Sequence, residues 1–265
     1  MRRRYGLRAV VFGYLIFVLL APLVMIFYRT FQTGLHPVWQ TLSDPNTVDA
    51  FKVTLIAAAI AVPVNTLFGV LCALAIVRRR FPGKGLLNAF IDLPVAISPV
   101  VVGVSIVFLY GRGGWFGGRL TGIGHSFQVL YALPSIVLAT IFASVPFVAR
   151  EVIPTLRELG TEQEQAAATL GATRWQRFSR ITLPAIRWAI VYGVVLTTAR
   201  ALGEYGTVAV VSGNIIGKTW TATVAVDQLI QNFNTAGAYA VSLVLAVIAV
   251  VVLVAMTVIR PQESR

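Results

Sequence analysis

The chain has 265 residues, of which 57% are hydrophobic and only 12% are charged, and its mean hydropathy is +0.80. Soluble domains carry roughly 25% charged residues, so this composition excludes an ordinary water-soluble domain and indicates an integral membrane protein. The net charge of +12 would suggest nucleic-acid binding in a soluble chain. Here the positions of the basic residues indicate membrane topology and contact with anionic lipid instead, and we expect no nucleic-acid partner.

Six apolar stretches are each long enough to cross a bilayer as a helix, at residues 9–28, 51–77, 86–110, 129–149, 188–211 and 237–259. The first follows four arginines, as a secretory signal does. Its apolar run is longer than the usual signal core, however, and no clean small-residue cleavage site follows it. We therefore expect a retained helix and an all-α integral membrane protein with six transmembrane helices.

Basic residues are distributed unequally between the two sides of these spans. The amino terminus, the 78–85 link, the 150–187 link and the tail carry 16 of the Lys and Arg residues, whereas the opposite links carry five. Because Lys and Arg are retained in the cytoplasm during insertion, both termini are predicted to be cytoplasmic. The expected organisation is a basic segment, first helix and external loop (1–50), a five-helix core (51–259) and a cytoplasmic tail (260–265).

Polar and helix-breaking residues within the spans are the next features of interest. Asp92 lies near the cytoplasmic end of the third span and is predicted to cap a helix end or to pair with Arg78–Arg80; proton relay is the alternative. Prolines at 63, 94, 99, 134 and 146 are expected to interrupt several spans. Each removes a helical hydrogen bond, which is tolerated in a membrane only where another partner is available. They would bend helices around a pathway, or they are simple packing kinks.

The cytoplasmic link at 150–187 has the pattern of short capped helices. Gly160 can end one helix, and Thr161 with Glu164 has the spacing of a capping box. A second helix is predicted to end at Gly171, after which Thr173 and Gln176 repeat that spacing. Trp175, Phe178 and Ile181 give the next helix an apolar face, and Pro184 is expected to end the segment before the fifth span. The pattern indicates either a hinged docking element or an amphipathic loop on lipid headgroups.

Arg200 and Glu204 lie four residues apart in the fifth predicted span, so they share a helix face and can pair. They are either an internal salt bridge of the helix bundle or part of a pathway or gate. In the second case Arg200 donates charge-assisted hydrogen bonds to a passing anion. Asp227 is expected in an external re-entrant or interfacial segment.

Other kinds of site have little support in the sequence. The segment GNIIGKT (213–219) has its two glycines one residue too close for a phosphate-binding loop. His36 and His125 lie in predicted external loops without a second ligand at metal spacing, and Cys72 is the single cysteine. No catalytic triad or paired carboxylate is evident, so we expect neither a resident metal nor an enzyme.

The 150–187 link, here called the coupling loop, resembles the cytoplasmic signature of binding-protein-dependent ABC importer permeases. That signature reads E-A-A, three residues, G, nine residues, then I-x-L-P. Gln165 stands in place of its Glu, and the other positions are filled by Ala166, Ala167, Gly171, Ile181, Leu183 and Pro184. The segments FIDLPVAISPVVVGVS (90–105), RITLPAIRWAIVYGVVLTTARALGEYG (180–206) and VVSGNIIGKT (210–219) are similar to sulfate/thiosulfate permease subunits of this family.

The resemblance implies a type I importer core of the MetI-like fold and a translocation pathway shared with a second homologous permease. It also implies that the energy for transport is supplied by other subunits. It implies two ATP-binding subunits that use ATP and Mg, an extracytoplasmic sulfate-binding protein, and no cofactor bound by this chain itself. The residues implied to couple to the ATPase are Glu162, Glu164, Gln165, Ala166, Ala167, Gly171, Trp175, Phe178, Ile181, Leu183 and Pro184.

The predicted function is therefore a sulfate/thiosulfate import permease in the cell inner membrane. A molybdate or tungstate importer permease is the alternative within the class, because such importers use similar permeases. An ion-coupled secondary transporter is the alternative outside it. That class predicts an inverted repeat and a coupling carboxylate near the bilayer midplane, and the sequence has no convincing repeat.

Overall fold

The computed structural model describes residues 2–32, 34–111, 113–116 and 129–259. The described residues form α1 (Arg2–Gln32), α2 (Leu35–Ser43), α3 (Pro45–Arg78), α4 (Lys84–Ala96), α5 (Pro99–Tyr110), α6 (Leu133–Glu158), α7 (Glu162–Thr169), α8 (Arg174–Arg177), α9 (Leu183–Leu202), α10 (Gly206–Val211), α11 (Ala222–Gln231) and α12 (Thr235–Ile259). A widened π turn at Phe178–Thr182 joins α8 to α9. The protein is all-helical over this part of the chain, as predicted.

Four of the described helical segments are long and apolar enough to cross a membrane alone. They are α3, α6, the continuous run Arg174–Leu202 and residues Thr235–Val252 of α12. Two further pairs qualify only together: Ile16–Gln32 of α1 with α2, bent by 97°, and α4 with α5, bent by 109°. The number of spans reaches the predicted six if each bent pair counts as one.

Two of the predicted spans differ from the structure. The third, 86–110, is not one helix, because the chain bends between α4 and α5. Pro99 lacks an N–H and stands in the first turn of α5, where no helical donor is needed. The fifth, 188–211, begins earlier and ends at Leu202; Gly203, Glu204 and Tyr205 form a break before α10.

The five prolines occupy two kinds of position. Pro134, like Pro99, stands in the first turn of its helix and marks the start of α6. Pro63, Pro94 and Pro146 lie inside α3, α4 and α6, which continue past them. A bend around a pathway and a packing kink both remain predictions at these three positions.

Helix α6 is the centre of the bundle and packs mainly against α3 and α9. Gly69 of α3 and Gly193 of α9 both approach Val148, so closely that a Cβ on either glycine would stand 2.7 Å from an atom of Val148. The buried Asn65 of α3 donates to the Ile141 carbonyl oxygen at 3.0 Å and to the Ser144 hydroxyl at 2.8 Å. Small residues and interhelical hydrogen bonds thus hold the three helices together, as is common where lipid provides no hydrophobic drive between helices.

Most of the buried apolar side chains among the described residues form two clusters, one towards each end of the bundle. The first joins α3, α5, α6, α10 and α11 and contains Ile106, Ile136 and Val211. The second joins the end of α3 to α4, α6 and α9 and contains Ile76 and Leu156. This second cluster supports the coupling loop, because α6 runs into the loop and α9 runs out of it.

Candidate functional site

The coupling loop folds as two short helices that meet at a glycine. Gly160, at φ +61°, follows the end of α6, and Gly171, at φ +84°, follows α7. The Gly171 N–H donates to the Ala168 carbonyl at 3.1 Å, and the Ala172 N–H donates to Ala167 at 3.0 Å. This pair of bonds is a Schellman closure, which needs a residue in the left-handed region and therefore favours glycine.

Only one of the two predicted capping boxes forms. Thr173 accepts from the Gln176 N–H, and the Gln176 side chain accepts from the Thr173 N–H at 2.8 Å, as predicted for α8. The Thr161 hydroxyl caps no backbone N–H, so the prediction of a Thr161–Glu164 box is wrong. The Thr161 hydroxyl instead accepts from the Gln165 side-chain amide at 2.8 Å.

Glu164 has a long-range partner instead of the predicted local one. Its Oε1 atom lies 2.9 Å from Nη2 of Arg78, at the end of α3, and accepts from the Thr182 hydroxyl at 2.8 Å. The Nη1 atom of Arg78 also donates to the Leu156 carbonyl oxygen at 3.3 Å. Glu164 therefore fastens α7 to a membrane helix and to the π turn before α9, through side chains that are largely buried.

The apolar residues beside Gly171 are directed away from the bundle. Leu170 is 88% exposed and Trp175 is 73% exposed. The Trp175 ring contacts that of Phe178, with centroids 5.7 Å apart. Such exposed large apolar side chains on a helical hairpin are unusual for a surface that faces only water.

The hairpin consists of α7, Gly171 and α8; of the remaining signature residues Gln165, Ala166 and Ala167 lie on it, whereas Ile181 lies in the π turn and Leu183 and Pro184 begin α9. Gln165, Ala166, Leu183 and Pro184 are exposed, as is Glu162 in the first turn of α7, whereas Ala167 and Ile181 are half-buried. Pro184 does not end the segment as predicted. Helical structure runs from Arg174 to Leu202, because the π turn shifts the bonding pattern so that the Leu183 N–H donates to Phe178 just before the proline. The hairpin is thus joined to α9 without a break.

Arg200 and Glu204 form an ion pair, but not on one helix as predicted. Glu204 lies in the break after α9, with its side chain 1% exposed, and its Oε2 atom is 2.6 Å from Nη1 of Arg200. Its Oε1 atom accepts from the Thr207 N–H at 3.0 Å, and its backbone carbonyl accepts from the Thr223 hydroxyl at 2.7 Å. The carboxylate thus ties α9 to α10, and the backbone of Glu204 ties the break to α11, while the Arg200 side chain remains 33% exposed.

The other sequence candidates are dispersed. Asp92 pairs with Arg150 of α6 at 2.9 Å, so the predicted partners Arg78–Arg80 are wrong: Arg78 is held by Glu164. His36 lies in α2 and not in a loop, and His125 lies outside the described residues, as does the tail 260–265. Asp227 lies in α11 and accepts from Gln231 at 2.7 Å.

Sequence reasoning missed three residues of the coupling loop and its support. Leu170 could have been recognised as an apolar residue beside a helix-ending glycine. The sequence predicts Arg78 as a topological charge and as a partner of Asp92, but not as a partner of Glu164, and Thr182 lies inside the signature at a variable position. The sequence around Arg78 and Thr182 does not indicate their contacts with Glu164, because these contacts join residues that are 86 and 18 positions apart.

The described helices therefore form a bundle that contains helices long and apolar enough to cross a membrane, with an exposed helical hairpin at one end. The model of the family described as "binding-protein-dependent transport system inner membrane component" matches residues 65–265, which is most of the chain. The chain belongs to this family, and the predicted membership is confirmed.

The chain is also similar to named sulfate transport proteins. It is 49% identical to "Sulfate transport system permease protein CysW" of Synechocystis, over 95% of this chain and 90% of that one, and 45% identical to the CysW protein of Escherichia coli K12, over 89% and 81%. It is 37% identical to the CysT protein of E. coli K12, over 94% and 89%. The predicted resemblance to sulfate permease subunits of this family is therefore confirmed, and the relatives support a non-catalytic permease role.

Solved structures confirm the predicted fold class. A chain from the bacterial alginate ABC transporter in complex with an alginate-bound periplasmic protein superposes with a TM-score of 0.80 at 22% identity. The match covers 96% of this chain and 93% of that one. At this identity the likeness concerns the fold alone.

Proposed function

We propose that this chain is the transmembrane permease subunit of an ATP-driven sulfate/thiosulfate importer in the cell inner membrane, and that it forms half of the translocation pathway. The similarity to CysW and CysT proteins over most of the chain supports the substrate class. The observation that carries the mechanism is the exposed Leu170–Trp175 edge on a hairpin that is fixed to both α3 and α9. Family membership leaves the ion-coupled secondary transporter without support.

The hairpin is the proposed contact with the ATPase. The exposed apolar edge would be buried in a groove of the partner, and movement of that partner would reach the membrane helices by two routes. One is the covalent continuity of α8 with α9, and the other is the Glu164–Arg78 bridge to α3. ATP can bias such a movement only through a difference in affinity between the two conformations. ATP and Mg are used by the partner, and no cofactor is assigned to this chain.

The proposed assembly contains two permeases, two ATP-binding subunits and an extracytoplasmic sulfate-binding protein. Similarity to both CysW and CysT relatives supports a heterodimer, since the two names denote two different permease proteins of sulfate transport systems. The structure is consistent with a shared inner side for the 78–85 and 150–187 links, because Arg78 contacts Glu164 and Leu156. Both termini are then cytoplasmic by the excess of basic residues on that side.

Uptake of radiolabelled sulfate tests the function directly. Deleting the gene is expected to reduce sulfate uptake to background, and the wild-type chain should restore it. Excess unlabelled thiosulfate should compete, whereas an equal excess of molybdate should not. Unchanged sulfate uptake after deletion would contradict the assignment, and competition by molybdate alone would favour the molybdate permease.

We assign the Arg200–Glu204 pair to the pathway, where a partly exposed guanidinium can meet an anion while its carboxylate partner stays buried. Arg200→Met is expected to abolish uptake and to destabilise the complex. Removing Arg200 leaves the buried Glu204 carboxylate without its counter-charge; such a loss costs about 3–5 kcal/mol in a fully buried pair and less here, because Arg200 is partly exposed. Glu204→Gln should be milder, because an amide oxygen can still accept from the Thr207 N–H.

The double variant Arg200→Met/Glu204→Gln separates a pathway role from a structural one. Both charges are removed, so thermal unfolding of the purified complex is expected near the wild-type temperature. Sulfate uptake should nevertheless stay at background if Arg200 meets the anion. Recovery of uptake in the double variant would show a purely structural salt bridge.

A further inference from the structure

A cavity of about 550 Å³ lies where α3 meets the coupling loop. Its floor is the last apolar part of α3, with Leu71, Leu74 and Ala75, and its opposite wall is formed by α8 and the π turn. The cavity lies on the side of the hairpin that faces α3. The ATPase contact proposed above and the Arg200–Glu204 pair do not account for it.

Four arginines line this cavity, against one acidic residue. Arg78 and Arg79 come from α3, Arg174 and Arg177 come from α8, and the acid is Glu164. The Glu164 charge is already matched by Arg78. Within the described part of the chain, Arg79, Arg174 and Arg177 have no carboxylate within 4.0 Å, so the cavity carries an uncompensated positive charge.

Two of these guanidinium groups are also short of hydrogen-bond acceptors. The Nε atoms of Arg78 and Arg177 are buried, and neither finds an acceptor among the described residues. A buried donor without an acceptor is costly, and more so when the group is charged. Groups in this condition favour a ligand that brings negative charge and several oxygen acceptors together.

We propose that this cavity binds a tetrahedral oxyanion, either free sulfate or the phosphate of an anionic lipid headgroup. Arginine is suited to such groups because its planar fork can donate two parallel hydrogen bonds to their oxygens. The volume accommodates a hydrated sulfate or a headgroup, and the apolar floor of α3 suits the adjoining lipid. The argument for this binding site rests on the cavity arginines and does not depend on which anion the protein transports.

The bound anion would bridge the membrane helix α3 and the hairpin. Arg78 and Arg79 belong to a membrane helix, whereas Arg174 and Arg177 belong to the hairpin. An anion between them stabilises the docked position of α8 against α3 and neutralises the repulsion between the two pairs. If the hairpin transmits work from an ATPase, as proposed above, occupancy of the cavity adjusts that transmission.

Binding measurements on the complete purified complex test the site. Arg79→Gln and Arg174→Gln remove exposed cavity arginines and leave the half-buried Arg78 in place. Arg80→Gln and Arg180→Gln are matched controls, since both are exposed neighbours outside the cavity lining. One arm measures radiolabelled sulfate binding at constant ionic strength. The other measures retention of phosphatidylglycerol, compared with phosphatidylcholine, by native mass spectrometry from nanodiscs.

The two cavity variants are expected to weaken binding by about tenfold or more in one of the two arms, as loss of a charged hydrogen bond implies. The two control variants should bind as the wild type does. Loss confined to the sulfate arm identifies the free anion, and loss confined to the lipid arm identifies the headgroup. Equal binding by all four variants in both arms would overturn the proposal. If the two cavity variants bind sulfate and lipid as the wild type does but lose the ATPase, the anion site is refuted and the arginines contact a protein instead.

These outcomes are independent of the uptake experiment. Sulfate uptake that survives gene deletion would refute the proposed function and leave the binding result intact. Normal uptake with unaltered binding in the cavity variants would refute only the anion site.

Discussion

Replacing Gly171 with valine is expected to abolish ATP-driven uptake and to remove the ATPase from the purified complex. Gly171 has φ +84°, where an L residue is strained by roughly 1–2 kcal/mol and a β-branched one by more. A Cβ at this position meets no atom within 4 Å, so the strain is conformational and not steric. Its relief requires α7 and α8 to change their relative direction, which separates Leu170 from Trp175.

Two control variants define the cause of this loss. Gly83→Val introduces the same strain at φ +90° in the 78–85 link, also with open space around the Cβ, and should retain the ATPase. Gly171→Asn keeps a residue that tolerates the left-handed region and should retain most of the uptake. Co-purification and uptake are measured together for all three. Full ATPase retention by Gly171→Val would refute the hinge as the docking element, and so would retention after deletion of residues 162–180.

Substituting Gly193 with alanine is the second change with a large expected effect, and it acts on stability. The new Cβ would stand 2.7 Å from Cα of Val148, and backbone cannot move aside as a flexible side chain can. Helices α6 and α9 must therefore separate, and overpacking of this kind costs about 1–3 kcal/mol. We expect a lower unfolding temperature of the purified complex and a lower yield in the membrane.

The matched control for this prediction is Gly85→Ala in α4. No atom lies within 4 Å of a Cβ at that position, and alanine favours a helix over glycine by about 1 kcal/mol. Its unfolding temperature should equal or exceed that of the wild type. If Gly193→Ala unfolds at the wild-type temperature too, the close approach of α6 and α9 in the structure is wrong.

The features predicted correctly depend on neighbouring residues alone. The Thr173–Gln176 capping box forms because its donors and acceptors lie three positions apart, and nothing else competes for them. The Gly171 closure likewise follows from one residue without a Cβ. The apolar stretches 51–77 and 237–259 lie inside helices because a segment in lipid must satisfy its own backbone hydrogen bonds.

The features predicted wrongly depend on residues that are distant in sequence. Thr161 and Glu164 have the spacing of a capping box, yet Glu164 bonds to Arg78 because folding places a guanidinium beside it. Asp92 pairs with Arg150 for the same reason, since folding packs α4 against α6. The 109° bend between α4 and α5 and the break at Glu204 could not be read from hydropathy, which measures apolar content and not direction.

Composition and local spacing suffice to predict that this chain lies in a membrane, where its long apolar helices run, and that a glycine joins two short helices at one end, because these properties depend on neighbouring residues. Only the tertiary structure decided which charges meet, how α3 and α9 pack on Val148, and that four arginines surround one cavity. These depend on the packing of helices far apart in the chain, where position in space, and not position in sequence, sets the energy of each contact.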